Sequence, residues 1–167
     1  MAELTPRERL QPSLLDRLTD EEPHKRQESR ERRVLSMRVL RQGVLRDLSW
    51  LLNTTALSSL QDVTAFPLAA RSTINFGLPD MTGKTASGMN LGDVAREIRE
   101  AVCRFEPRIL PHTLSVRAVS AGGESHNSVV FELEGELWAQ PVAERLFLRT
   151  ELDLEVGAIR IADLEAR

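Results

Sequence analysis

The stretch FEPRILPHTLSV, residues 105–116, marks the place where the periodicity of the sequence changes. Before it, apolar residues recur at the spacing of a helix, and after it they alternate as in a strand. Pro107 disfavours helical geometry at Glu106 and removes an amide donor, so we expect a helix to end here. The stretch therefore separates a helical part of the chain from a sheet.

Two amphipathic helices are predicted upstream of this junction. The nearer one begins after Asn90, a good N-cap residue, and stops at Glu106. The other covers the stretch 34–54, and Gly43 inside it costs about 1 kcal/mol relative to alanine, which indicates close packing or a kink. The apolar stripe of the helix in residues 34–54 consists of Val34, Met37, Leu40, Val44, Leu48 and Leu51. The stripe of the helix that follows Asn90 consists of Leu91, Val94, Ala95, Ile98, Val102 and Phe105.

Four strands are predicted downstream of the junction, because the apolar residues now alternate with polar ones. They fall in residues 113–120, 128–141, 144–157 and 158–164. Their carboxylates are expected on the polar outer face of a half-buried sheet: Glu132, Glu134, Glu136, Glu151, Asp153 and Glu155. The predicted fold class is α+β, with N-terminal helices packed on a C-terminal antiparallel β-meander.

The N-terminal segment differs from the rest of the chain. Ser13 and Asp16 have the spacing of a capping box before a few leucines, a patch too small to hold a helix without a docking surface. Residues 19–33 contain no aliphatic side chain, as in a solvated linker. We therefore expect a short helix and charged linker in residues 1–33 and a single α+β domain in residues 34–167.

Composition excludes several classes of protein. The 167 residues carry a formal net charge of -3, which creates no field favouring nucleic acid or an anionic membrane. The N-terminus lacks the apolar core of a signal peptide, and no run approaches the roughly 20 apolar residues of a membrane span. The single cysteine, Cys103, is expected to be a small core residue in a cytoplasmic protein.

No local pattern predicts a catalytic or metal site. His24, His112 and His126 lie far apart, without a second ligand at helical spacing. Gly83-Lys84-Thr85 lacks the earlier glycine of a phosphate-binding loop, and no serine sits in a nucleophile elbow. We therefore expect no metal, cofactor or nucleotide.

The triplet Glu106-Pro107-Arg108 remains the most unusual feature, because opposite charges flank a rigid proline at a helix end. The residues alone allow two interpretations, internal bracing of the corner or contact with a partner through charge-assisted hydrogen bonds. Trp50 and Trp138 are expected in the core in preference to an interface.

Several stretches taken together resemble one family. They are LQPSLLDRL (10–18), VLRDLSWLLNT (44–54), STINFGLPDMTG (72–83), FEPRILPHTLSV (105–116) and FELEGELWAQPVAERLFLRTELDLEVG (131–157). This combination resembles the TssE family of type VI secretion system baseplate subunits, over nearly the whole chain from Leu10 to Ile161. That family is similar in turn to the small wedge protein of contractile phage baseplates, often labelled lysozyme-like.

The resemblance implies a nonenzymatic baseplate scaffold at the cytoplasmic side of the inner membrane. Such a protein joins other wedge subunits and initiates polymerisation of the contractile sheath, with no cofactor, small-molecule substrate, nucleic acid or membrane insertion. Glu106, Pro107 and Arg108 match the family's Glu-Pro-Arg motif, which implies that they bind a partner. The family's sheet is similar to the strand-exchange domain of sheath subunits, so an edge strand is expected to pair with a sheath strand.

Two other functions stay open at this point. A peptidoglycan-cleaving hydrolase, which the old family label suggests, needs two facing carboxylates in a cleft. A free-standing adaptor outside any secretion machine would bind neither sheath nor wedge proteins.

Overall fold

The computed structural model describes residues 13–19, 24, 37–82, 88–119, 128–138 and 143–164. The helices are α1 (Leu14–Leu18), α2 (Met37–Leu52), α3 (Pro67–Ala70) and α4 (Leu91–Phe105), and the strands are β1 (Ser115–Val119), β2 (Ser128–Leu137), β3 (Glu144–Asp153) and β4 (Ile159–Asp163). The order of helices before strands confirms the predicted α+β class. Several sequence features lie outside the described residues: Val34, Gly83-Lys84-Thr85, His126, the segments 120–127 and 139–142, and most of the charged linker.

Helix α4 has the predicted N-cap and end, and most of the predicted apolar stripe of each long helix is buried where the structure describes it. At the start of α4 the side-chain oxygen of Asn90 accepts a hydrogen bond of 3.0 Å from the Gly92 amide. At its end the Glu106 amide donates to the Val102 carbonyl at 2.9 Å, and Pro107 follows, so the helix stops where the sequence predicts. Val44, Leu48, Leu51 and Leu52 of α2 belong to the same hydrophobic core as the buried residues of α4.

The four strands form one antiparallel sheet in the order β1-β2-β3-β4, which confirms the predicted meander. Helix α4 contacts β1, and α2 contacts both α4 and β4. The predicted inner-face residues of β2 and β3 are buried, among them Phe131, Leu133 and Leu148. The core therefore lies between one sheet face and the two long helices.

The other face of the sheet carries charges that pair across strands. Glu132 faces Arg117 on β1 and Arg149 on β3, while Glu136 faces Arg145. Opposite charges on facing residues stabilise a sheet modestly. Two of the acidic residues predicted for the outer face, Glu132 and Glu136, therefore face basic residues on neighbouring strands.

An irregular connection joins α2 to α4 through two 3-10 turns, Leu57–Ser59 and Thr73–Asn75, on either side of α3. The buried Asn75 side chain accepts from the Ser58 amide at 2.8 Å and donates to the Ala70 carbonyl at 3.0 Å. Gly77 follows with a φ of 124°, and a Cβ there would lie 2.2 Å from the Thr54 carbonyl oxygen. A glycine is therefore required where the connection crosses the end of α2.

The preference for a core position was wrong for both tryptophans, whose exposed fractions are 52% for Trp50 and 49% for Trp138. Trp50 lies on α2 away from the buried stripe that includes Leu48 and Leu51. Trp138 directly follows the inward-facing Leu137, so alternation directs it outward. Cys103 is partly buried and packs against the core.

Candidate functional site

The candidate site is the corner, residues 106–110, which connects α4 to the sheet. Its backbone is held from both sides. The Ile109 amide donates to the Glu106 carbonyl at 3.2 Å, the Leu110 amide donates to the Glu136 carbonyl at 2.9 Å, and the Trp138 amide donates to the Arg108 carbonyl at 2.7 Å. Only 1% of the Ile109 surface is exposed, so the corner is a fixed part of the fold.

Glu106 and Arg108 form a two-pronged ion pair across Pro107. Arg108 Nε donates to Glu106 Oε1 at 2.7 Å, and Arg108 Nη2 donates to Glu106 Oε2 at 2.5 Å. The Arg108 amide adds a third hydrogen bond to Oε1 at 3.1 Å. The exposed side-chain fraction is 3% for Glu106 and 21% for Arg108, while Pro107 is exposed. The Glu106 carboxylate therefore lies buried within the corner, whereas the Arg108 side chain and Pro107 reach the surface.

The ion pair continues into a longer chain of charges along α2. Arg108 Nη2 also contacts Asp47 Oδ2 at 2.5 Å, and Asp47 Oδ1 accepts from Arg46 Nε at 2.9 Å. Arg46 Nη1 in turn donates to Asp16 Oδ1 of α1 at 2.6 Å. Five alternating charges thus connect α1, α2 and the corner, and we call this set the charge chain: Asp16, Arg46, Asp47, Arg108 and Glu106.

The contacts of the charge chain stabilise the charged form of its two guanidinium groups. Burial alone would lower the pKa of Arg108, but hydrogen bonds and charge from Glu106, and then from Asp47, raise it well above its ordinary value. The pKa of Arg46 is raised chiefly by the hydrogen bond to Asp16, with burial opposing and Asp47 adding to the effect. Both guanidinium groups therefore keep their charge.

The structure brings all three predicted site residues together, since they are consecutive, and adds others that the sequence analysis missed. Asp47 precedes Arg108 by 61 residues, and Arg46 lies next to Asp47. They are adjacent charged residues of an amphipathic helix, and their sequence carried no signal of a distant partner. Gly43, Arg46, Asp47 and Trp50 lie at helical spacing on one side of α2, which is the only local clue.

A second ion-pair cluster lies at the opposite edge of the domain. Arg41 Nε and Nη2 contact the two carboxylate oxygens of Asp163 at 2.5 and 2.7 Å, and Nη1 donates to Glu144 Oε1 and the Arg145 carbonyl at 2.9 Å each. The exposed side-chain fraction is 12% for Arg41 and 7% for Asp163. This cluster ties α2 to the edge strand β4.

The two edges of the sheet differ in how far their backbone groups are used. On β4, the Asn53 side chain accepts from the Ile159 amide at 2.8 Å and donates to the Ile159 carbonyl at 2.9 Å. One amide side chain thus bonds both outward groups of the first residue of the strand. Together with the side-chain contact between Arg41 and Asp163, it places a residue of α2 and the residue that follows α2 beside the two ends of β4.

The β1 edge is more open in its middle. The Glu136 backbone faces this side of β2, since it bonds to Leu110 and to the Thr113 hydroxyl, so alternation directs Val116 and Ala118 outward. Arg99 Nε donates to the Leu114 carbonyl at 3.0 Å at the beginning of the strand. Within the described ranges, no group bonds to the outward amides and carbonyls of Val116 and Ala118.

The described residues offer little for chemistry. Both oxygens of Glu106 accept hydrogen bonds from Arg108, so this carboxylate is poorly placed to act on a substrate. No cluster of three or more His, Cys, Asp or Glu side chains in these parts of the chain is arranged to hold a metal ion. A cavity of about 160 Å³ lies away from the corner, between the end of α2 and the β3–β4 turn.

Comparison with known proteins gave one positive result. A family described as Baseplate wedge protein gp25 matches residues 38–142, which run from α2 through the corner and β2. Neither the curated proteins nor the solved structures contain a significant match to the chain. Within the described ranges, no helix combines the length and the apolar character needed to cross a membrane. Because the family match covers more than half of the chain, this protein belongs to the gp25 family of baseplate wedge proteins.

Proposed function

We propose that this wedge protein is a TssE-type subunit of a type VI secretion baseplate, which joins neighbouring wedge subunits and initiates the contractile sheath. Membership of the gp25 family gives the structural baseplate role. The sequence resemblance to TssE gives the type of machine. The assembly chemistry is protein contact alone, at the cytoplasmic side of the inner membrane.

The corner is the proposed contact with a wedge neighbour. It is rigid, because backbone hydrogen bonds fix it to α4 and β2, so binding orders little additional chain. It presents the exposed Pro107 and the partly exposed guanidinium of Arg108 to a partner. Arginine is frequent among residues that dominate interface energies. In this proposal the hydrogen bonds from Glu106 orient the Arg108 side chain, and Pro107 limits the motion of the backbone between them.

The open middle of β1 is the observation that carries the proposed role in sheath initiation. Unpaired amides and carbonyls on an edge strand accept an added strand through main-chain hydrogen bonds. We place the incoming sheath strand against Val116 and Ala118, since the side chains of Asn53 and Arg41 already bond to residues at the two ends of β4. The β1 edge then templates the first sheath subunit.

A pair of double variants tests the wedge contact. Glu106→Ala with Arg108→Ala removes the ion pair at the corner, and Arg41→Ala with Asp163→Ala removes the matched ion pair at β4. Both should retain the fold, measured by circular dichroism, but only the corner variant should lose wedge subunits in a pull-down read by mass spectrometry. Normal sheath assembly by the corner variant would remove the motif from the proposal.

Proline substitution tests the strand pairing. Ala118→Pro removes one outward amide donor while the β1–β2 ladder at Arg117 and Val119 remains, since proline is tolerated on the open side of an edge strand. Ile161→Pro makes the same change at an outward position of β4 and is the control. We expect Ala118→Pro, but not Ile161→Pro, to reduce the number of assembled sheaths. The reverse result would move the pairing to β4.

The absence of catalysis is tested directly. Purified protein incubated with peptidoglycan should release no soluble fragments beyond a buffer control, whereas a lysozyme control should release them. Fragment release by the purified chain would favour the hydrolase instead.

We further propose that residues 34–167 form one domain with residues 1–33 as an attached arm. In that case limited proteolysis should cleave first within the charged segment before Met37.

A further inference from the structure

The short helix α1 is attached to the domain in an unusual way. Its three leucines are largely exposed, with exposed fractions of 70% for Leu14, 42% for Leu15 and 75% for Leu18. None of them belongs to the hydrophobic core. A helix of five residues is not stable alone, and apolar burial does not hold this one.

The attachment instead runs through Asp16. Its Oδ1 accepts from Arg46 Nη1 at 2.6 Å, and its Oδ2 accepts from the Ser13 hydroxyl at 2.6 Å. The Ser13 oxygen in turn caps the helix by accepting from the Asp16 amide at 3.3 Å. Burial alone would raise the pKa of Asp16, but the hydrogen bonds from Ser13 and Arg46 and the Arg46 charge lower it. A partly exposed ion pair of this kind contributes only about 0–1 kcal/mol, so α1 is weakly held.

The carboxylate of Asp16 lies in a small depression that other residues form. Gly43 is buried on α2, and a Cβ at this position would lie 3.4 Å from Asp16 Oδ2 and 3.6 Å from Arg108 Nη1. Arg46 and Arg108 thus flank a floor without a side chain, and we call this site the carboxylate notch: Gly43, Arg46 and Arg108. The notch adjoins the corner, because Arg108 belongs to both.

The notch has one donor that the domain does not use. Arg108 bonds through Nε and Nη2, and its Nη1 bonds to none of the described residues. Arg46 Nη2 is buried beside Asp47 Oδ1 at 2.8 Å, so it serves the ion pair with Asp47. Asp16 engages only Nη1 of Arg46. A carboxylate that reaches Arg108 Nη1 as well as Arg46 Nη1 therefore bonds one guanidinium nitrogen more than Asp16 does.

We propose that the carboxylate notch is a binding site for an aspartate or glutamate of a partner's short leucine-bearing helix, and that α1 fills it as a displaceable internal ligand. The occupant has the chemistry of α1 itself, one acidic residue among exposed leucines, because α1 is the segment seated there. Displacement frees the three leucines to pack on the same partner. That this partner is a baseplate neighbour rests on the proposed function, whereas the notch and its internal ligand do not.

A peptide titration of the full-length chain tests the proposal. The probe is a capped peptide of residues 10–20, and chemical shifts of the Gly43 amide and the Arg108 Nε–H report on the notch by NMR. In the wild type the chain's own Asp16 competes with the probe. Asp16→Asn removes this competitor, so the probe should bind the variant up to about fivefold more tightly, the factor that one exposed ion pair provides.

Two controls separate the carboxylate from its surroundings. The same peptide with Asp16→Asn should not bind either protein, because the leucines alone do not recognise the notch. The chain variant Asp93→Asn removes a comparable exposed ion pair, Asp93–Arg96 at 2.7 Å on α4, and should bind the probe like the wild type.

Several results would overturn the proposal. They are equal probe binding by the wild type and the Asp16→Asn variant, no binding by that variant, equal binding of the two peptides, or shifts that leave Gly43 and Arg108 unchanged. The titration contains this chain and the peptide and no other baseplate subunit. Its outcome is therefore independent of the pull-down that tests the corner.

Discussion

Arg41 and Arg108 both connect α2 to a distant part of the fold, but they use their donors differently. All three side-chain nitrogens of Arg41 bond to acceptors of the domain, and its exposed fraction is 12%. Arg108 is 21% exposed and leaves Nη1 without a hydrogen bond to the described residues. The ion pair of Arg41 therefore completes the domain, whereas Arg108 keeps one nitrogen that can donate to a partner.

The largest effect is expected at the β4 cluster. Asp163→Ala removes the two-oxygen acceptor of the buried Arg41 guanidinium, which keeps Glu144 and the Arg145 carbonyl as acceptors. The cost should therefore approach the lower end of the about 3–5 kcal/mol of a broken buried pair. Urea denaturation should show this loss in the free energy of unfolding. A change below about 1 kcal/mol would mean that the remaining acceptors of Arg41 suffice and that the cluster is not the structural one of the two.

A smaller loss is expected when the corner pair is broken, with a characteristic non-additivity. Glu106→Ala leaves Arg108 with Asp47 as its remaining acceptor. The double variant with Arg108→Ala removes both charges and should be more stable than Glu106→Ala alone by about 0.5–3 kcal/mol. A double variant that is less stable than the single one would contradict the interpretation of Arg108 as an ion-pair partner.

Gly43 provides the next test, because a side chain there changes the notch and the helix together. Gly43→Ala should stabilise α2 by up to about 1 kcal/mol, since the added Cβ meets its neighbours at ordinary contact distance. Gly43→Leu should instead displace Asp16 from Arg46. The emission of Trp50 reports this displacement, because Arg46 lies 5.2 Å from its ring centroid. The background variant Trp138→Phe removes the other indole.

The smallest effect concerns Asp16. Asp16→Asn should lower stability by at most about 1 kcal/mol, as expected for a partly exposed pair. Because the pKa of Asp16 is lowered in the folded chain, its contribution is complete above the unfolded value of about 4 and is lost as the pH falls through the folded value. A pH titration of Trp50 emission should therefore change below pH of about 4 in the wild type and not in Asp16→Asn.

Most of the fold could be predicted because local chemistry determines it. Asn90 and Pro107 fix the ends of α4, and alternation along β2 and β3 identifies the buried face. The predicted core positions of Trp50 and Trp138 were wrong, because aromatic side chains are buried only on average. The periodicity of α2 and the alternation along β2 direct both side chains toward solvent.

The site could be predicted only in part, for a physical reason. Glu106, Pro107 and Arg108 stand out because they are neighbours in sequence at a change of periodicity. Asp47, Arg41 and Asp163 are ordinary charged residues of amphipathic elements, and their contacts depend on how α2 is placed in three dimensions. Register and helix placement, not composition, therefore decide which charges meet.

The Asn53 side chain that bonds to Ile159 has a consequence for the proposed growth of a sheath. A single amide occupies the place that a neighbouring strand would take, so strand pairing on that flank is discouraged from its first residue. In the proposed pairing only the opposite flank receives a strand, and subunits would be added in one direction. A seed with one receptive side would give the resulting polymer its polarity before a second subunit has arrived.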